Sequence, residues 1–204
     1  MSDYPINQTA LVLVDPLNEF FSEKGKLWPF TQSTIKANNT IENITRLTLA
    51  CRSQGIKIVY ANHHASEVGD YDNRVFLTPT QQSIKDNQIF SKGSFGAQVY
   101  ETLTPQEGDL IAQDHYCASG FANTDLDLLL KQHGINRLLI AGNRANTCVE
   151  STGRYAVELG YHATLISDAI AAFNEVEMEN TIKVNWPAFG HNVINTDKLI
   201  DLIS

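Results

Sequence analysis

The 204-residue chain predicts an α/β fold in three layers, a mostly parallel sheet with helices on both faces. Three observations predict it. Short apolar runs alternate with longer amphipathic ones, the order of repeated β-α-β units. Most of the short runs are apolar throughout, as strands buried on both faces must be. A glycine also stands at three helix-to-strand junctions, where a left-handed residue is wanted.

In chain order, the apolar runs Ala10 to Val14, Ile56 to Ala61, Leu110 to Ala112, Leu138 to Ala141 and Ala163 to Ile166 read as strands. Helical spacing occupies Ser33 to Gln54, Asn123 to His133, Asn146 to Leu159 and Glu175 to Val184, with a last short helix at Lys198 to Ile203. The junction glycines are Gly55, Gly134 and Gly160. Asn62 to Pro105 is sprinkled with Gly, Asp, Asn and Pro and is longer than a simple connection, so it predicts a flap or wall over a site. No repeat or linker interrupts the chain, and residues 1–204 read as a single domain burying roughly 70% of its unfolded surface.

Composition narrows the partners. Fifteen Lys and Arg against 23 Asp and Glu, a net charge of -8, leave no basic surplus for nucleic acid. No run of about 18 apolar residues and no secretory pattern occurs, so neither membrane insertion nor secretion is expected. Cys51, Cys117 and Cys148 are spaced for neither a disulfide framework nor a zinc site. The expectation is a cytoplasmic protein with a free thiol, acting on a small molecule.

Ligands of open parallel sheets bind beyond the carboxyl ends of the strands. Three reactive groups stand there: Asp15 after the first run, Asp114 and His115 after the third, and Cys148 after the fourth, at the start of the next helix. Unpaired N–H groups and the helix dipole would lower the pKa of a thiol in that first turn and could hold an oxyanion. Each residue also has a plainer reading: Cys148 as a small buried residue, Asp15 as a turn residue, His115 as a satisfied histidine. Cys51 falls inside the long amphipathic helix and reads as core, and Cys117 reads as packing near the site.

Four ordered segments resolve the choice. Ala10 to Phe21, ALVLVDPLNEFF, resembles the opening strand and aspartate signature of the isochorismatase-like cysteine hydrolases. Gly120 to Leu130, GFANTDLDLLL, and Arg137 to Thr152, RLLIAGNRANTCVEST, resemble that family's Phe-x-x-Thr helix and its strand, turn and nucleophile, and Gly160 to Phe173 resembles the strand that follows. The resemblance implies a six-stranded sheet, the isochorismatase-like hydrolase fold. It places Asp15 on the catalytic aspartate and Cys148 on the nucleophile, with the backbone N–H groups of Arg144 and Cys148 as the oxyanion hole and a cis peptide at Asn143–Arg144. It also implies a homodimer or homotetramer.

Two departures from the family shape the rest. The family carries a lysine after its third strand, whereas this chain has none between Leu110 and Phe121. Asp114 would add a second negative charge beside Asp15, Lys92 precedes the strand, and alternation turns only one of Asp114 and His115 toward the site. His115 is therefore the expected third catalytic residue. Metal-binding members use an aspartate where this chain has Asn62, ahead of His63 and His64, so no metal and no cofactor are expected. Phe20, Trp28, Phe30, Tyr116 and Phe121 are the aromatics expected to line a pocket. The implied activity is metal-independent cleavage of a C–N bond in a small amide or ureide through a thioester. The alternatives are vinyl-ether hydrolysis, as in isochorismatases proper, and a catalytically silent binding protein of the same fold.

Overall fold

The computed structural model describes residues 3–204. Six strands form one sheet: β1 (Thr9–Val14), β2 (Lys57–Ala61), β3 (Leu110–Ile111), β4 (Arg137–Gly142), β5 (His162–Ile170) and β6 (Asn192–Ile194). Their order is β3-β2-β1-β4-β5-β6, with every neighbouring pair parallel. The chain builds outward from β1 in one direction and from β4 in the other. The crevice between the carboxyl ends of these two strands is the switch point where such sheets bind ligands.

β1 is buried along its whole length, so alternation divides its side chains between two cores. Leu11 and Leu13 pack with helices α2 (Trp28–Asn38), α3 (Thr40–Ser53) and α9 (Thr196–Ile203), following the short α1 (Asn18–Phe21). Ala10, Val12 and Val14 pack with α5 (Leu126–Gln132), α6 (Glu150–Glu158), α7 (Glu175–Glu179) and α8 (Trp186–Phe189). These are the three layers that the alternating runs predict.

The differences have local causes. The helix expected over Ser33 to Gln54 is two helices, because Asn39 turns left-handed at φ 51° and interrupts the hydrogen-bond ladder. The helix expected over Glu175 to Val184 continues through a π turn to Phe189. β6, the sixth strand that the resemblance implies, was not located from apolar runs, since Asn192–Ile194 is a short, partly exposed edge strand with none. The long flap contains α4 (Pro79–Asn87), started by a Thr78/Gln81 capping box with Pro79 at its first position. Gly55, Gly134 and Gly160 take the anticipated positive φ, at 80°, 69° and 89°. Gly142 ends β4 at φ 118°, where a Cβ would stand 2.0 Å from the Val14 carbonyl oxygen. Only glycine lets β4 approach β1 this closely at the crevice.

Candidate active site

Asp15 closes β1 with a left-handed backbone, φ 49°, its N–H donating to the Ala61 carbonyl at 3.1 Å. Aspartate is one of the few residues that tolerate this conformation. Its carboxylate is fully buried, and Oδ1 receives two donors: the His63 backbone N–H at 2.5 Å and the His115 imidazole, Nε2, at 3.2 Å. Oδ2 is buried without a hydrogen-bond partner among the described residues.

His115 arrives beyond the end of β3, where the chain resumes pairing with the segment after β2. Its N–H donates to the Asn62 carbonyl, and its own carbonyl accepts from the His64 N–H, both at 2.9 Å. Alternation then turns His115 inward. Asp114 is instead half-buried on the other side, with its carboxyl raised by burial. Both ring nitrogens of His115 face oxygen atoms: Nδ1 lies 3.2 Å from the Cys117 carbonyl oxygen and Nε2 faces a carboxylate oxygen. Two oxygen partners around one imidazole favour its doubly protonated, cationic form. Burial acts against that charge, but the charge and hydrogen bond of Asp15 outweigh it and raise the imidazole above its ordinary range. Neighbouring His63 is stacked on Phe90 and lowered by burial, so it stays neutral.

Cys148 sits in a π turn, Ala145–Val149, between β4 and α6. Donor atoms of Asp15, His115 and Cys148 all lie within 4.8 Å of one another, the only such cluster among the described residues. Burial pushes the thiol well up, and the charge and proximity of Asp15 push it further. The Thr147 hydroxyl, 3.9 Å from Sγ, and the Arg144 backbone N–H pull the other way but do not prevail. The expectation of a thiol pKa lowered by a helix start is therefore corrected: α6 begins two residues later, and burial beside a carboxylate raises the thiol instead. The peptide Asn143–Arg144 is cis, as the resemblance implied.

Other expected residues fall as follows. Lys92 is exposed and paired with Glu67, away from the cluster. Phe20 and Phe121 are core rather than pocket, at 4% and 5% exposure: Phe20 packs on Phe90, and Phe121 on Tyr155 and Tyr161. Trp28 is half-buried under Lys36. Tyr116 is exposed, stacks on His64, and lines a cavity of about 260 Å³ with Arg74 and Cys117. Phe30 is exposed and packs at a tilt against Phe173. His64 is spent on Asp70 at 2.8 Å, while Asn62 Oδ1 is buried and unpartnered. The donor set able to hold a metal is Asp15, His115 and Cys148 themselves, and a metal would have to displace the Nε2 proton of His115.

Sequence reasoning missed Glu19, which is 2% exposed. Its carboxylate accepts the backbone N–H groups of Lys26 and Phe90 and so ties the flap to α1. A charged residue directly ahead of two phenylalanines in NEFF was the available signal. It also missed the Phe173 ring under Arg144.

Residues 9–197 match the model of the isochorismatase domain family. The chain belongs to that family. It is 30% identical over 174 residues to the ureidoacrylate amidohydrolase RutB of Rhizobium rhizogenes, covering 80% of this chain and 70% of the relative. A cysteine hydrolase from Pseudomonas syringae pv. phaseolicola superposes with a TM-score of 0.81 at 25% identity, covering 100% of this chain and 96% of the other. N-carbamoylsarcosine amidase from Thermoplasma acidophilum superposes with a TM-score of 0.69 at 26% identity, over 93% and 97% of the two chains. An isochorismatase-family chain with this sheet is a hydrolase. No helix among its described residues is long and apolar enough to cross a membrane.

Proposed function

We propose that this isochorismatase-family chain is a metal-independent cysteine hydrolase that cleaves the C–N bond of a small amide or ureide. The observation that carries the reading is the buried Asp15–His115 pair, 3.2 Å apart, set beside the thiol of Cys148 at the switch point of the sheet. In the reaction, Oδ2 of Asp15 accepts the thiol proton as Sγ bonds to the substrate carbonyl carbon. The resulting oxyanion is held by the backbone N–H groups of Arg144 and Cys148. The C–N bond then breaks, the amine leaves with the proton from Asp15, and water hydrolyses the thioester to an acid and the free thiol. His115 completes the catalytic triad as the charge that keeps Asp15 ionised. The names of the relatives, an amidohydrolase of a ureido acid and an amidase of an N-carbamoyl amino acid, support an amide or ureide substrate.

The test is ammonia release from a panel of small amides and N-carbamoyl compounds by wild type, Cys148→Ala and Cys148→Ser. Both variants should lose turnover while keeping the circular dichroism of the wild type. Cys51→Ala and Cys117→Ala should be much milder. Residual Cys148→Ala activity within about tenfold of wild type refutes covalent catalysis and favours vinyl-ether hydrolysis, which needs no cysteine. A Cys148 that resists thiol probes favours a silent binding protein. The reading extends to a cytoplasmic homodimer or homotetramer, with Val75 and Phe76, 84% and 89% exposed, offering apolar surface to a second copy. Light scattering of the purified chain tests the assembly, and a monomer refutes it.

A further inference from the structure

We propose that Arg144 is a specificity residue selecting an amide or ureide that carries a carboxylate near its scissile bond, an inference that rests on the cysteine-hydrolase reading above. Arg144 caps the π turn, Ala145–Val149, that carries Cys148, so its side chain starts from the same turn as the nucleophile. Its guanidinium lies over the Phe173 ring, 4.0 Å from the centroid, which fixes the plane of the fork. The side chain is only 17% exposed, and Nε is buried without a hydrogen-bond partner.

Glu177 forms a loose ion pair with Arg144 but no hydrogen bond to Nε. Glu177 Oε2 is 3.9 Å from Nε, beyond hydrogen-bonding distance, and already accepts the Phe173 N–H at 3.2 Å. Arg52 is a contrast within the same chain: at a comparable 14% exposure it donates to Asp109, Tyr60 and Thr104. A mostly buried guanidinium whose Nε has no hydrogen-bond partner, and whose ion pair with Glu177 is this loose, is better satisfied when something planar and anionic meets its fork. A carboxylate matches the fork with two parallel charge-assisted hydrogen bonds, which a neutral amide cannot make. The Phe173 ring behind the guanidinium and Phe30, packed against Phe173 at a tilt with 5.4 Å between ring centroids, form an apolar wall on that side. The substrate class that satisfies both groups is a small acid whose amide or ureide lies a few bonds from its carboxylate.

Iodoacetate and iodoacetamide differ by one carboxylate, and both alkylate a thiolate. The ratio of their rates at Cys148, taken relative to exposed Cys117, reads the local charge and cancels any change in thiol pKa. Arg144→Met should lower that ratio by roughly five- to tenfold, the effect of removing one charge within several ångströms in a partly screened site. Its preference for an N-carbamoyl acid over the matching methyl ester, measured as a ratio of kcat/KM, should fall by at least about tenfold. Arg144→Lys keeps the charge but not the fork, so it should hold the alkylation ratio within about twofold and still lose acid preference. Unchanged ratios in folded Arg144→Met overturn the proposal, as does undiminished acid preference in Arg144→Lys if the methionine variant does not fold. Failure of both reagents at wild-type Cys148 overturns the thiol reading beneath it.

Discussion

Replacing His115 by glutamine removes the imidazolium but keeps a polar side chain of similar reach. In the wild type, that cation and the Asp15 carboxylate are 3.2 Å apart, each side chain 1% exposed. At an effective dielectric of about 20 their gross attraction is about 5 kcal/mol, and breaking a buried pair by deleting one partner costs about 3–5 kcal/mol. A lone buried carboxylate relieves that cost by taking a proton, and protonated Asp15 can no longer accept one from Cys148. His115→Gln should therefore lower kcat/KM by roughly 10²–10⁴, the range of a lost general base. The pH dependence has a definite sign. Because Asp15 raises His115 in the folded state, the pair's stabilisation is complete below about pH 6.5 and is lost as pH rises through the elevated folded value. Wild type should lose activity and melting temperature together along that alkaline limb, and His115→Gln should lack it. His115→Lys, which restores a cation, should recover part of the rate. Kinetics and thermal melts from about pH 6 to 9 supply the measurement. A His115→Gln enzyme within about tenfold of wild type, or one retaining the same limb, refutes the assignment.

Other outcomes follow from the same geometry. Iodoacetamide should label exposed Cys117 first and Cys51 last, since burial pushes Cys51 up to about 12, as followed by mass spectrometry. In the resting enzyme, labelling of Cys148 should still accelerate above about pH 9, and a plateau near neutrality would contradict the protonated thiol. Dialysis against a chelator should leave turnover unchanged, because the imidazole of His115 is spent on Asp15 and asparagine stands at position 62; stoichiometric metal required for activity would refute this. Gly142→Ala should destabilise the fold by several kcal/mol, since its Cβ would sit 2.0 Å from the Val14 carbonyl oxygen at a φ of 118°. A melting temperature within about 3 °C of wild type would show that the strands can part there cheaply.

The sheet was legible because β1, β2 and β4 are buried on both faces and their sequences say so without interruption. β6 was not, because a half-exposed edge strand of three residues carries no periodicity. The single long helix over Ser33 to Gln54 was misread at Asn39, whose left-handed turn has no signal stronger than the residue type itself. In the site, position relative to strand ends brought Asp15, His115 and Cys148 together in the sequence, and alternation separated His115 from Asp114. The state of the thiol was not legible, because the deciding quantity is burial together with the nearness of Asp15, and both are tertiary. Phe20 and Phe121 were misjudged for the same reason: aromatics near strand ends serve core and pocket alike, and only their packing against Phe90, Tyr155 and Tyr161 distinguishes them.

A cysteine hydrolase with a raised thiol pKa is at first sight poorly equipped, yet the charge count of the proposed reaction resolves the difficulty. In the proposed reaction the cluster starts with one negative charge on Asp15, one positive charge on His115 and a neutral thiol, the state that two oxygen partners around the imidazole favour. When Sγ bonds to the carbonyl carbon and its proton passes to Asp15, the negative charge moves to the substrate oxygen, a few ångströms away. No charge is created in the low-dielectric interior, and His115 remains a cation throughout, so the solvation that a free thiolate would need is never demanded. The required condition is that donors already wait where the charge arrives, which the backbone N–H groups at Arg144 and Cys148 would supply in this turn. On this account the high pKa of Cys148 in the resting state is a consequence of Asp15 being ionised and near enough to take the proton. A variant that lowers the thiol pKa by neutralising Asp15, such as Asp15→Asn, should make Cys148 more reactive to iodoacetamide while abolishing turnover. Parallel loss of both would show instead that the carboxylate activates the thiol in the free enzyme.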